Sequence, residues 1–360
     1  MEMNVQKQSK QSTWIPTNPA YDANKPMQIG GQAVLEGVMM RAPGSVATAV
    51  RRADGSIVVK QERFISIIEK YKFLNVPIVR GAVGLVDMLY LGIQTLNWSG
   101  EIAMLDVRKQ EEGANGNGKG GQNSTKAQSK FGLVLSLVLA LGLGLAVFFV
   151  LPLLITTRVF QLEQSAFAFN LVAGGIRIAM LLVYLLGISL FKDIHRLFQY
   201  HGGEHKAVFA FELNDELRPD VVQLRSRFHP RCGTSFLLIV MFVSIVSFAL
   251  LDAIVKQFTG TMTLPLRLAT HLPFIPIVGG LSYEIIRFSA KHSTTWWGRI
   301  LIAPGLWLQR ITTKEPESAH VEVAIVALRC ALGLDDPTKY SLRQGVAVES
   351  VTPLPTLQHR

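Results

Sequence analysis

The sequence predicts a mainly α-helical membrane protein, with about four transmembrane helices and a small N-terminal cytoplasmic α+β unit that contains a β-hairpin. Three observations lead to this fold class. Only 17% of the 360 residues are charged, against about 25% in an average soluble protein. The mean hydropathy is +0.30, and the apolar residues are concentrated in long uninterrupted segments. This composition excludes an intrinsically disordered chain, and two cysteines exclude a disulfide scaffold.

The first part of the chain shows a polar tail followed by strand signals. Residues 1–26 are rich in Gln, Lys, Asn and Pro, which predicts a disordered tail. Residues 27–106 form the N-terminal cytoplasmic or interfacial unit. Within it, the segments Val46–Arg52 and Ser56–Arg63 flank Asp54–Gly55, a residue pair typical of a hairpin turn.

A long apolar segment and a linker complete this N-terminal part. Ile78–Leu105 is apolar with scattered polar residues. Two interpretations stay open: an amphipathic helix lying on the membrane, or a core helix of the N-terminal unit. The Gly- and Asn-rich segment 107–130 predicts a flexible linker.

Residues 131–291 are the predicted four-span membrane domain. Each candidate segment is apolar and long enough, or nearly so, to cross a bilayer; the four are Phe131–Thr157, Asn170–Phe191, Ser235–Leu251 and Leu268–Tyr283. The fourth is the weakest because it is short and contains Pro273 and Pro276, so a re-entrant or buried segment is its alternative. A His-rich cytoplasmic loop, 192–234, joins the second and third spans.

The last part of the chain follows the fourth span. Residues 292–345 predict an interfacial segment, which carries three tryptophans, and an amphipathic helix over Glu317–Leu332. Residues 346–360 resemble a tail.

The basic residues predict the orientation of the spans. Thirteen Lys and Arg residues lie on one alternate side of the four spans and three lie on the other. Because cytoplasmic loops carry the excess of positive charge, we expect a multi-pass protein of the cell membrane with both termini in the cytoplasm. The first 27 residues have no apolar core and predict no cleavable signal peptide. The net charge of +10 then reflects topology, so the lipid bilayer is the expected partner and nucleic acid is not.

The loop 192–234 contains the sequence His201-Gly-Gly-Glu204-His205, an H-x-x-E-H motif. On a helix, residues four apart lie on the same face, so the two imidazoles could bind one zinc ion. Glu204 could take a proton from a metal-activated water. Two adjacent glycines disfavour a helix by about 2 kcal/mol, which suggests that the motif lies at a helix start or break. The alternative is a polar loop with structural histidines.

A second cluster, His229-Pro-Arg231-Cys232, precedes the third span. His229 and Cys232 are further candidate metal ligands, and Arg231 could hold an anionic group. The loop ends are tied to adjacent membrane helices, so both clusters should lie near the same membrane surface. The alternative gives Cys232 a packing role and makes Arg231 a positive anchor. Cys330, on the apolar face of the C-terminal helix, is expected to be a packing residue.

Two isolated carboxylates are additional candidates. Glu36 lies among apolar residues and needs a partner, which could be Arg41 or the metal site. Glu284 ends the fourth span on the cytoplasmic side, where it could complete the metal site. A purely structural role is equally open for both. His271 belongs to the opposite membrane side and is excluded from the site.

The sequence resembles the YqhQ-like family of bacterial multi-pass membrane proteins. The resemblance covers about residues 28–333 and rests on five long strings: GGQAVLEGVMMRAP (30–43), YHGGEHKA (200–207), HPRCGTSF (229–236), SYEIIRF (282–288) and PGLWLQRITTKEP (304–316). The family pattern usually has Ala where Gly203 stands, which leaves the candidate ligands intact. The resemblance implies a predicted metal-dependent enzyme and names no substrate.

These observations predict a membrane-embedded metal-dependent enzyme, most simply a hydrolase, with zinc as the expected metal and a lipid-linked or membrane-peptide substrate. The alternative is a non-enzymatic scaffold or assembly factor, or a transporter, with structural histidines. A transporter should have polar residues at mid-membrane. The predicted span centres are almost purely apolar, which argues against transport more than against a scaffold.

Overall fold

The structure is a computed structural model that describes residues 29–114, 130–292 and 295–341. The predicted tails at 1–26 and 346–360 lie outside the described residues. The predicted mainly helical fold with a small N-terminal sheet is confirmed.

The N-terminal sheet is an antiparallel meander of four strands in the order β1 (Gly30–Val34), β2 (Gly37–Ala42), β3 (Ser45–Arg51) and β4 (Ile57–Arg63). The predicted hairpin is confirmed as the β3–β4 pair. Gly55 in its turn has φ +83°, a conformation that favours glycine because it lacks a Cβ. The structure adds a first hairpin, β1–β2, that the sequence patterns did not predict.

Helices cover both faces of this sheet. One face packs against α6 (Lys192–Glu212) and α11 (Ser318–Ala331), through residues such as Val38 and Ala49. The other face packs against α2 (Val79–Ala114). Because alternate strand residues point to opposite faces and both faces are covered, β2 and β3 are buried at nearly every position. The sheet unit therefore combines three distant parts of the chain.

Helix α2 connects the sheet unit to the membrane bundle. It follows the short α1 (Ile67–Lys70), and its Leu91 and Ile102 pack on the sheet. Its first turns contact α9 (Leu264–Lys291), where Arg80 Nε donates to Glu284 Oε1 at 2.6 Å. The core-helix interpretation is thus correct for one face of α2. The helix continues to Ala114, so the start of the predicted linker is helical, and residues 115–129 lie outside the described residues.

Within the described residues, four helices are long and apolar enough to cross a membrane; they span Val138–Phe160, Ala166–Ile188, Gly233–Thr259 and Leu264–Ser289. The first consists of α3 (Lys130–Leu145), a π-helical turn, α4 (Leu151–Ile155) and a second π-helical turn. The others belong to α5 (Ala166–Ile188), α8 (Gly233–Thr259) and α9. Helix α9 continues through Pro273 and Pro276, so the fourth segment is one continuous helix that is long enough to cross a membrane.

The predicted loop 192–234 is largely helical, because it contains α6 and the short α7 (Pro219–Val222). After the fourth span, α10 (Trp296–Thr312) packs on α8 and α9, and α11 follows it. The predicted C-terminal helix is confirmed in α11. The described chain ends with α12 (Thr338–Ser341).

A buried polar cluster lies between the second, third and fourth spans. Asp252 of α8 accepts hydrogen bonds from Arg267 Nε at 2.9 Å and from Asn170 Nδ2 at 2.7 Å. Its other oxygen lies 2.7 Å from His271 Nε2. Arg177 is also buried, near the middle of α5, between the rings of Phe149 and Phe248 at 4.7 and 5.6 Å from their centroids. The expectation that the span centres are almost purely apolar is wrong at Arg177.

Candidate metal centre

The H-x-x-E-H motif lies inside α6, without the predicted helix start or break. Its glycines allow other backbone to approach the helix closely. A Cβ added at Gly202 would lie 2.2 Å from the carbonyl oxygen of Lys314, and one at Gly203 would lie 3.2 Å from that of His320. Glycine at these two positions leaves room for the backbone of the segment after α10 to pack directly against α6. This close packing explains why two poor helix formers stand inside the helix.

We expect the two glycines to respond differently to alanine. Alanine is favoured over glycine inside a helix by about 1 kcal/mol. The Gly202→Ala methyl group would collide with backbone, and such overpacking typically costs about 1–3 kcal/mol. Thermal unfolding of the purified protein should show a lower midpoint for Gly202→Ala and a nearly unchanged one for Gly203→Ala. Equal midpoints would contradict the close contact.

Three side chains converge at the membrane end of the sheet unit. The ligand atoms of His201, His205 and Cys232 all lie within 4.8 Å of one another. The Cys232 Sγ atom is 3.3 Å from His201 Nε2. Cys232 caps the first turn of α8, where the Thr234 N–H donates to its sulfur at 3.4 Å. The structure thus joins the two sequence motifs in one cluster, which we call the His2Cys cluster.

Backbone carbonyls fix the orientation of both imidazoles. His201 Nδ1 lies 2.8 Å from the carbonyl oxygen of Thr312, and His205 Nδ1 lies 2.5 Å from that of Arg227. A carbonyl can only accept, so each Nδ1 carries a proton and each Nε2 is the ring atom that faces the cluster. In a neutral imidazole this Nε2 holds the lone pair that could bind a metal. Histidines that bind metals commonly donate their other ring N–H to a carbonyl in this way.

The cluster also favours a thiolate. Burial raises the pKa of the Cys232 thiol, but the charge on His201 and hydrogen bonds from His201 and His205 outweigh burial and hold that pKa well below its usual range. Burial likewise opposes the charge on His201, yet the Cys232 thiolate more than compensates and raises the pKa of His201 to about 9. Metal ligation requires the deprotonated sulfur, and this environment stabilises it.

Glu204 lies beside the cluster and is buried. Its Oε2 atom is 3.5 Å from His205 Nε2. A Cβ added at Gly31 of β1 would lie 2.7 Å from the Glu204 side chain, so the first strand of the sheet closes over this carboxylate. The structure therefore gives the predicted general base a buried position next to the candidate ligands.

His229 and Arg231 lie next to the cluster but have other partners. The His229 ring is 5.8 Å from the His205 ring, between centroids. Its Nδ1 accepts from the Arg231 N–H at 3.3 Å, and its Nε2 lies 3.3 Å from a Glu212 oxygen. The Arg231 guanidinium also pairs with Glu212. Burial lowers the pKa of His229 and that of Arg231.

The remaining candidates are outside the cluster. Glu36 pairs with Arg196 at 2.6 Å and accepts from the Tyr200 hydroxyl at 3.3 Å, so neither predicted partner is found. Burial raises its pKa, although Arg196 opposes this. The Arg41 guanidinium lies over the Phe64 ring and contacts Met88 of α2, on the face of the sheet opposite α6.

Glu284 forms a two-point ion pair with Arg80. The pair joins the C-terminal half of α9 to the start of α2. Glu284 therefore has a structural role in this fold and contributes no atom to the His2Cys cluster.

Sequence reasoning missed the residues that hold the second motif in place. The fully buried Gln309 of α10 accepts from the His229 N–H at 2.8 Å and donates to the His229 carbonyl at 2.8 Å. It also donates to the Ser235 hydroxyl at 3.0 Å. Gln309 lies about 80 residues from its partners along the chain, so no local pattern identifies it.

One distance in the cluster matches the separation of two ligands of a zinc ion. Bonds of about 2.1 Å to nitrogen and about 2.3 Å to sulfur separate tetrahedral ligands by roughly 3.5 Å. The 3.3 Å between Cys232 Sγ and His201 Nε2 agrees with this separation. Three protein ligands of the Cys and His type, with the fourth position free, have the general form of a catalytic zinc site.

Comparisons with known proteins support the resemblance noted from the motifs. A family model described as a protein of unknown function (DUF1385) matches residues 76–334. The uncharacterized protein YqhQ of Bacillus subtilis (strain 168) is 33% identical over 323 residues, which cover 86% of this chain and 94% of that protein. No solved structure matches. The chain therefore belongs to the DUF1385 family of YqhQ-like proteins, whose function is unknown.

Proposed function

We propose that this protein is a metal-dependent hydrolase of the cell membrane, with its active site at the cytoplasmic face. The observation that carries the proposal is the convergence of His201, His205 and Cys232 within 4.8 Å, with both Nε2 atoms directed by backbone carbonyls. The excess of basic residues on one side of the spans supports a cytoplasmic site and cytoplasmic termini.

The three ligands would hold one zinc ion. Zinc in such a site lowers the pKa of a water molecule and polarises a substrate carbonyl or phosphoryl group. Glu204 would act as the general base. Its Oε2 would take a proton from the attacking water and then give this proton to the leaving group. Arg231, one residue before Cys232, would supply positive charge for an anionic substrate group after release from Glu212.

The position of the site supports a membrane-associated substrate. Cys232 immediately precedes the first turn of α8, which is a candidate span. A site at this boundary between the bundle and the sheet unit would lie near headgroup depth. A lipid-linked molecule or a membrane peptide fits this position, because its reactive group would meet the site while its apolar part stays in the bilayer.

Metal analysis of the purified protein tests the proposal. We expect about one zinc per chain in the parent protein and in His195→Ala, an exposed histidine on the same helix. His201→Ala, His205→Ala and Cys232→Ser should each lose most of the zinc, because two ligands hold it too weakly. Glu204→Gln should keep it. Zinc contents that do not differ among these variants would contradict the metal site.

A cobalt-substituted protein distinguishes a catalytic from a structural site. Catalytic sites keep an open coordination position, whereas structural sites are closed by four protein ligands. Addition of acetohydroxamate should change the visible absorption of the cobalt protein if the position is open. A spectrum that acetohydroxamate leaves unchanged would favour a structural metal, and with it the scaffold alternative.

A further inference from the structure

Helix α2 has two apolar faces, and among the described residues only one of them is covered by the rest of the protein. Leu91 and Ile102 pack on the sheet. At 100° per residue, seven exposed apolar side chains fall within about 120° on the opposite face; they are Val79, Val86, Leu89, Tyr90, Leu96, Met104 and Val107. Asn97 and Arg108 share this arc. We call it the outer stripe.

The outer stripe is too long and continuous to be ordinary surface. Soluble proteins expose apolar residues singly, and larger exposed patches mark an interaction site. These seven residues extend over about 40 Å of helix at 1.5 Å per residue, and Tyr90 is 66% exposed. Among the described residues, no other element covers this side of the helix.

The start of the stripe is fixed beside a membrane span. A Cβ added at Gly81 would lie 2.8 Å from the Gly280 carbonyl, so the two helix backbones touch. Arg80 and Glu284 form an ion pair one turn further along α9. Gly280 and Glu284 lie in the C-terminal half of α9, the half nearer the His2Cys cluster. The outer stripe therefore begins against the side of a candidate membrane span.

The residues just before α2 carry the chemistry of a membrane interface. Tyr71 and Phe73 are exposed, and the exposed Lys70 and Lys72 flank Tyr71. Exposed aromatic rings with adjacent basic side chains are typical of the headgroup region, where the rings enter the interface and the ammonium groups meet lipid phosphates. This segment continues the apolar surface of the outer stripe.

We propose that the outer stripe of α2 docks on the lipid bilayer and holds the sheet unit against the membrane surface. The contact is independent of the metal site and of the proposed hydrolase function. The occupant is the lipid headgroup and upper acyl region, because the stripe is continuous with the fourth span and has interfacial residues at its start. Helices with one apolar face commonly lie at this depth.

Depth-dependent quenching in vesicles tests this docking. The full-length protein would carry Val86→Cys or, as a matched control, Leu224→Cys, each labelled with the fluorophore NBD. Leu224 is 83% exposed and follows α7, which packs on α11 on the opposite side of the sheet. Labelling of the parent protein measures the background from its two native cysteines.

We expect brominated lipids to quench the label at position 86 at least twofold and to leave the label at position 224 nearly unchanged. The emission at position 86 should also be blue-shifted relative to position 224. Two results would overturn the proposal. Equal, unquenched emission at both positions would place the stripe in water, and a blue shift at position 86 without quenching would show that protein, such as a second copy, covers it.

Discussion

In metal-free protein at pH 7, iodoacetamide should alkylate Cys232 at least a hundredfold faster than Cys330. His201 and His205 hold the pKa of Cys232 well below its usual range against the effect of burial. Burial, with Asp335 nearby, raises the pKa of Cys330 to about 12, which leaves roughly one thiolate in 10⁵ at pH 7. Only the thiolate reacts, so the two cysteines form an internal comparison.

The metal proposal adds a second expectation to the same experiment. One equivalent of zinc should protect Cys232, because a coordinated sulfur no longer attacks the reagent, and a chelator should restore the reaction. The Cys232 rate should also fall little between pH 8 and pH 6, whereas a thiol of ordinary pKa slows about tenfold per pH unit. Peptide mass spectrometry measures both sites, and unfolded protein provides the control in which their rates converge.

One result of the alkylation experiment would contradict zinc binding at Cys232. If zinc leaves the rate at Cys232 unchanged while His201→Ala reduces that rate, the pair acts without metal. Cys232 would then be a nucleophile activated by His201, and the hydrolase would be of the cysteine type.

Asp252→Asn should lower the free energy of unfolding by about 3–5 kcal/mol, because it leaves buried positive charge without a partner. Asp252 and Arg267 are both fully buried, and His271 contacts the other carboxylate oxygen. The replacement keeps the size of the side chain and removes its charge. Thermal unfolding in detergent, followed by intrinsic fluorescence, measures the loss.

Two controls separate this effect from a general response to the substitution. Asp220→Asn breaks an exposed pair with Arg218 and should leave the unfolding midpoint nearly unchanged. The double variant Asp252→Leu with Arg267→Leu should be more stable than Asp252→Leu alone, since it removes both charges together. A midpoint for Asp252→Asn that matches that of Asp220→Asn would contradict the structural role of the cluster.

The sequence predicted the helices and the strands of one hairpin well, because those signals are local. Uninterrupted apolar length identified the four spans, and Asp54–Gly55 identified the β3–β4 turn. The alternation of strand residues could not show that both faces of the sheet are covered, since α6 and α11 come from parts of the chain more than a hundred residues away.

For the same reason, the structure brings only some of the predicted site residues together. Spacing of four residues brought His201 and His205 together, and the order of the spans brought Cys232 to the same membrane end. The partners of isolated charges cannot be read from sequence, because a buried carboxylate takes whichever cation the fold brings near. Glu36 thus pairs with Arg196 and Glu284 with Arg80, away from the cluster.

The sequence by itself predicted four apolar segments long enough, or nearly so, to span a membrane, one β-hairpin, and the residue types that could bind a metal. Only the tertiary structure decided which of those residues meet, because the choice depends on contacts between α6, the start of α8 and the segment after α10. The close approach of Lys314 to Gly202 brings the Thr312 carbonyl to His201, and Gln309 holds the loop that carries Cys232. These long-range contacts turn two separate motifs into one site.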